Sequence, residues 1–207
     1  MKKFVAAMVL FAFPVVASGQ SNDIIGKQST MTRKIFIHSS IPSGCQYTFT
    51  NAATTWNGAN TKARLVWTNY ISTRAYSYNA STGKNVSTSS NTVDTQVEAG
   101  KLDDFNNLGQ TSYRGSGTNL TDGDVIINID KLSTVLACPV NPASLTSTQV
   151  DLEYSMLHEL GHVWGLGHDT VNTDAVVAPP KYWGPASAKR TLTTSDSGRL
   201  RTQYGVQ

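Results

Sequence analysis

The stretch His158-Glu159-Leu160-Gly161-His162-Val163-Trp164-Gly165-Leu166-Gly167-His168 limits what this chain can become more than any other part of it. It reads H-E-x-x-H-x-x-G-x-x-H. Four residues advance an α-helix by about 400°, so His158 and His162 stand about 40° apart on one face, roughly 6 Å along the axis. Two imidazole nitrogens so placed can reach one metal ion. Glu159 sits about 100° further round, at the rim of that face. It is not needed as a ligand and can reach a water beside the metal. Gly165 lets the chain leave the helix through a positive φ. The turn then returns His168 as a third ligand. Three nitrogens with one position left open make a catalytic zinc site, not a structural one. The whole chain has four histidines and three glutamates, and three of those histidines fall in this window. A helix with ordinary surface histidines is therefore the weaker reading.

The rest of the composition narrows the setting. Lys2 and Lys3, the apolar run Phe4 to Ala17 and the small residues Ala17-Ser18-Gly19 read as a bacterial secretory signal over 1–19. The apolar run is shorter than the roughly 20 residues that span a bilayer, so cleavage is expected over anchoring. Residues 20–32 are polar and expected to be flexible, leaving no room there for a folded pro-domain. One catalytic domain is expected over 33–207. The formal charge of +3 includes Lys2 and Lys3; without them 15 basic residues face 14 acidic ones. No basic block stands out, so neither nucleic acid nor a membrane surface is an expected partner. The expected state is an exported monomer, extracellular or periplasmic, acting on protein or peptide. The two cysteines, Cys45 and Cys138, fit one disulfide in an oxidising compartment.

Along the chain, residues 34–38 read as a strand. Residues 45–57 read as a helix, because Phe49, Ala52, Ala53 and Trp56 recur at i, i+3, i+4 and i+7. Residues 63–70 form a second strand. The polar run 72–122 is hard to read; a strand near 92–97 and a short helix near 97–105 are expected in it, with further hidden strands. Residues 124–130 give the strongest strand signal. Thr148 to Asp151 resembles a capping box before the helix that ends near Trp164. Residues 169–190 are irregular, and 195–204 form a closing helix before Gly205.

The zinc stretch is the signature of the metzincins, and the order of elements resembles a small bacterial matrixin-like member. The tail, from Leu192-Thr193-Thr194-Ser195-Asp196 to Tyr204-Gly205, looks like that family's closing helix. The resemblance implies an α+β fold: a twisted mixed β-sheet, about three helices and an active-site zinc cleft. It also implies a peptide lying along an edge strand, expected at 124–130. Four features depart from the family. No Met follows Met156, and in the segment 174–179 Val177 stands where the turn methionine would be. Only His38 remains for the structural zinc, so that second site is not expected. Pro42-Ser43-Gly44-Cys45 is not the P-R-C-G-type motif of an inhibitory cysteine. Asp169 follows His168 and is the alternative third ligand, though spacing favours His168 and a role for Asp169 in orienting a ligand. Tyr182 and Trp183 either wall a substrate pocket or pack in the core. Asp122, Asp124 and Asp130 are candidate Ca2+ ligands without an EF-hand pattern.

The expected function is a secreted zinc endopeptidase with Glu159 as general base. Two rivals remain. One is a secreted zinc-containing binding module with little activity, motivated by Val177. The other is a zinc hydrolase of non-peptide amides.

Overall fold

The computed structural model describes residues 24–72, 76–79, 84–87, 94–100, 102, 107–116, 118–132, 134–179 and 183–207. Its strands and helices are, in order, β1 Lys27–Gln28, β2 Thr32–His38, α1 Tyr47–Asn57, β3 Arg64–Ser72, β4 Tyr76–Asn79, β5 Lys84–Ser87, β6 Asp94–Gly100, β7 Gly109–Ser116, β8 Asn119–Asn128, β9 Leu136–Ala137, β10 Val150–Asp151, α2 Leu152–Val163 and α3 Thr194–Tyr204. The main sheet runs β1-β8-β6-β2-β3 with every pair parallel, and β7 adds to β8 antiparallel. This mixed sheet with three helices is the α+β arrangement expected from the sequence. Among the described residues, no helix is long and apolar enough to cross a membrane.

Side-chain periodicity explains the layers. β2 alternates, with Arg33, Ile35 and Ile37 buried. α1 buries Thr48, Phe49, Ala52, Ala53 and Trp56 on one face. β8 is buried almost continuously from Asp122 to Asn128, as a strand flanked on both sides must be. That burial corrects the expected edge strand. β8 lies between β6 and β7, and β7 is the edge on that side of the sheet. The strand at β6 continues to Gly100, so the helix expected near 97–105 does not begin there. Residues 101 and 103–106 lie outside the described residues.

The N-terminal segment also differs from its reading as flexible. From Ile24 onward it is docked. Lys27 and Gln28 pair with Asn119 and Leu120. The Gln28 side-chain amide donates to Val163 O at 2.6 Å, and its backbone N–H donates to the Tyr204 hydroxyl at 2.8 Å. Arg33, fully buried, joins this patch to the sheet through Asp122 at 2.9 Å, Gln28 Oε1 at 2.8 Å and Thr95 at 3.1 Å. A buried guanidinium must be paired in this way, because an unpaired charge costs several kcal/mol, on the order of 3–5.

α2 starts three residues later than the capping-box reading, which would put the N-cap at Thr148. Asp151 itself is the N-cap, accepting from Glu153 N at 3.2 Å. Its carboxylate also receives Arg190 Nε at 2.7 Å, which ties the loop before α3 to the start of α2. Cys45, in the short 3-10 turn just before α1, is bonded to Cys138 across 93 residues, with Cα atoms 5.4 Å apart. That distance is ordinary for a disulfide. In the chain-entropy account, closing so long a loop is worth up to about 4–5 kcal/mol. The double variant Cys45→Ala/Cys138→Ala is expected to lose a large part of that in guanidinium unfolding, with the slope of the transition rising as the unfolded state expands.

Candidate metal centre

α2 places His158 and His162 one turn apart on its buried face, and both are buried. The helix ends at Trp164, and Gly165 turns the chain with φ +82°. A side chain at 165 would collide with Gly26 O, so both the backbone angle and the space require glycine there. The turn brings His168 back. The ligand-capable atoms of His158, His162 and His168 all lie within 4.8 Å of one another. His158 Nε2 is 3.0 Å from His162 Nε2 and 3.3 Å from His168 Nε2.

These short distances are not hydrogen bonds between the two helix histidines. His158 Nδ1 is 2.9 Å from Val176 O, and His162 Nδ1 is 2.6 Å from Leu166 O. A carbonyl only accepts, so each Nδ1 carries the proton and donates it. In the neutral ring, Nε2 is then a bare lone pair. Burial, followed by the other histidines, holds His158 well below the usual imidazole range. Burial and then His168 push His162 down to about 4. Burial and then Arg199 lower His168. Converging neutral lone pairs repel unless a cation lies between them. Tetrahedral zinc with bonds of about 2.0–2.1 Å would set neighbouring nitrogens about 3.3–3.4 Å apart. The donor set, protonation and spacing therefore suit zinc.

Glu159 is buried beside the triad, and burial raises its carboxyl to about 7 against a lowering bond from Thr111. Thr111 Oγ1 is 2.6 Å from Glu159 Oε2. The sequence did not point to Thr111, because β7 carries no apolar alternation.

The segment 174–179 lies against this helix as expected. Val177 is fully buried, and Gly161 faces it. A methyl at Gly161 would run into Val177 Cγ1 and Trp56, so Gly161 is what allows the zinc helix, α1 and the turn to meet. Trp56 Nε1 donates to Leu157 O at 2.8 Å in the same crossing. The turn is held from α3. Asp196, buried, accepts from Val176 N at 3.0 Å and Val177 N at 3.4 Å while closing a capping box with Thr193. The T-x-x-D spacing of Thr193 and Asp196 was the readable signal for this residue.

Asp169 is not brought to the triad. Its oxygens accept from Val171 N, Asn172 N at 2.7 Å and Ser195 Oγ at 2.6 Å, with Arg199 3.9 Å away. Burial opposes its charge, yet these partners together hold its carboxyl below the usual range. None of these bonds reaches a histidine, so Asp169 neither replaces His168 nor orients a ligand directly; it fixes the loop to α3. Trp183 is 42% exposed, so it is not a core residue. Tyr182 lies outside the described residues. The acidic candidates for Ca2+, Asp122, Asp124 and Asp130, do not gather as a group of three: Asp122 is committed to Arg33 and Asp130 lies in the turn after β8. Among the described residues the histidine triad is the one metal-capable group of three or more.

Purified protein is expected to hold close to one zinc per chain, and His162→Ala to lose it, as read by metal analysis after exhaustive buffer exchange. Val177→Asp would bury a carboxylate against Gly161 and Trp56; with no partner there, a cost of about 1–3 kcal/mol or more is expected. A melting temperature and zinc content equal to the parent would show that Val177 is not part of the packed turn.

The comparison with protein families matches residues 6–205 to the matrixin family model. The comparison with curated proteins returned no match.

Proposed function

The chain belongs to the matrixin family of metallopeptidases, and on that premise we propose that it is an exported zinc endopeptidase whose general base is Glu159. One observation carries this reading: three imidazole nitrogens converge, those of His158 and His162 with their lone pairs inward, and a buried carboxylate stands next to His158 in the sequence. His158, His162 and His168 would hold the metal. When bound, zinc would polarise the scissile carbonyl and lower the pKa of a water to about 7. Glu159 takes a proton from the attacking water and returns it to the leaving amine nitrogen. Its burial raises the carboxyl above the usual carboxylate range, which favours its taking up the proton. The substrate is an extended peptide paired along β7, whose outer edge meets no other strand among the described residues. The reading of 1–19 as a secretory signal supports export, and the Cys45–Cys138 bond suits an oxidising compartment.

Unfolded casein or gelatin tests the activity. Hydrolysis should stop with a chelator and return with added zinc. Glu159→Gln removes the base without removing a ligand, so zinc content should stay and turnover should fall by about 10²–10⁴-fold. Normal proteolysis by that variant would take Glu159 out of the mechanism. A wild-type protein that holds zinc but cleaves no protein or peptide would return the reading to a zinc-containing binding module.

A further inference from the structure

The edge strand β7 treats the two oxygens of Glu159 differently. Thr111 Oγ1 lies 2.6 Å from Oε2 and 3.1 Å from the backbone O of Glu159. A hydroxyl has one proton to give, and the closer carboxylate oxygen is the stronger acceptor. No protein group among the described residues donates to Oε1. Gly109 is two residues before Thr111 and so on the same face of the strand. A methyl group at 109 would sit 3.1 Å from Oε1 and 3.2 Å from Cγ, closer than ordinary contact. One oxygen therefore has a donor, and the other has room.

We propose that Thr111 and Gly109 are positioning residues for Glu159: Thr111 fixes the carboxylate through Oε2, Gly109 leaves Oε1 its space, and Oε1 is the oxygen that takes and returns the proton. This rests on the reading of Glu159 as the base. As the water oxygen bonds the carbonyl carbon, one water proton moves to Oε1. As the C–N bond breaks, that proton passes from Oε1 to the amine nitrogen, and the carboxylate is restored. Thr111 donates to Oε2 throughout, so the two oxygens cannot exchange places and the acidic hydrogen stays on Oε1. A freely rotating carboxylate would spend much of its time misaimed, and small errors of aim are costly in catalysis.

Steady-state kinetics on one peptide substrate, with zinc affinity measured by competition against a chromophoric chelator, tests the assignment. Thr111→Val keeps the shape and removes the donor; kcat should fall about 10- to 100-fold, with KM and zinc affinity close to the parent. Thr111→Ser restores the hydroxyl and should recover most of the loss. Gly109→Ala should also lower kcat while zinc stays bound. A parental kcat in Thr111→Val, a loss confined to KM, or a Thr111→Ser variant as slow as the valine would each overturn the proposal. Glu159→Gln in the same assay separates the two readings. If it turns over normally, the base itself is wrong. If it is inactive while Thr111→Val is parental, only the positioning fails.

Discussion

Two backbone carbonyls decide the tautomers of the two helix histidines. Val176 O and Leu166 O take the Nδ1 protons of His158 and His162, and so turn both Nε2 lone pairs inward. Neither carbonyl is free to move. Val176 is gripped through its N–H by Asp196, which is itself locked into the start of α3. Leu166 follows the Gly165 turn, whose carbonyl accepts from Ile25 N at 2.7 Å. Burial then makes imidazolium expensive, and the rings stay neutral. The chemistry of the centre thus depends on elements that contain none of its ligands.

The triad and Glu159 were legible in the sequence because one helix and one turn carry them all. Their spacing is dictated by local geometry, with no need to know the rest of the fold. Gly165 was legible for the same reason. The apolar face of α1 and the buried run in β8 were also readable, since each repeats with the period of its element. Cys45 and Cys138 were paired by count and compartment, and the bond is present.

What was hidden depends on contacts far apart in sequence. β7 reads Gly-Gln-Thr-Ser-Tyr-Arg-Gly-Ser, without apolar alternation, because it is an edge strand with polar work to do at Glu159. The resemblance made 124–130 seem an edge, though the unbroken burial from Asp124 to Asn128 says the opposite. The segment 24–30 read as flexible because its anchors are single hydrogen bonds to residues 135 and 176 positions away. Asp169 was the subtler case. Its place after His168 suggested the metal, whereas its bonds run to Ser195 and to backbone N–H groups of its own loop.

The docking of residues 24–28 has a consequence for how such a molecule is made. Gln28 reaches Val163 O and the Tyr204 hydroxyl, and Tyr204 in turn donates to Trp164 O at 2.9 Å. The backbone that leads to the third histidine is thus clamped by residues 176 positions apart in the sequence. Contacts of such separation form late, because the loop they close must be paid for first. During synthesis the histidines emerge well before Tyr204 does. A nascent chain therefore carries its reactive side chains without the frame that aims them, and the centre gains that frame only once Tyr204 has joined it.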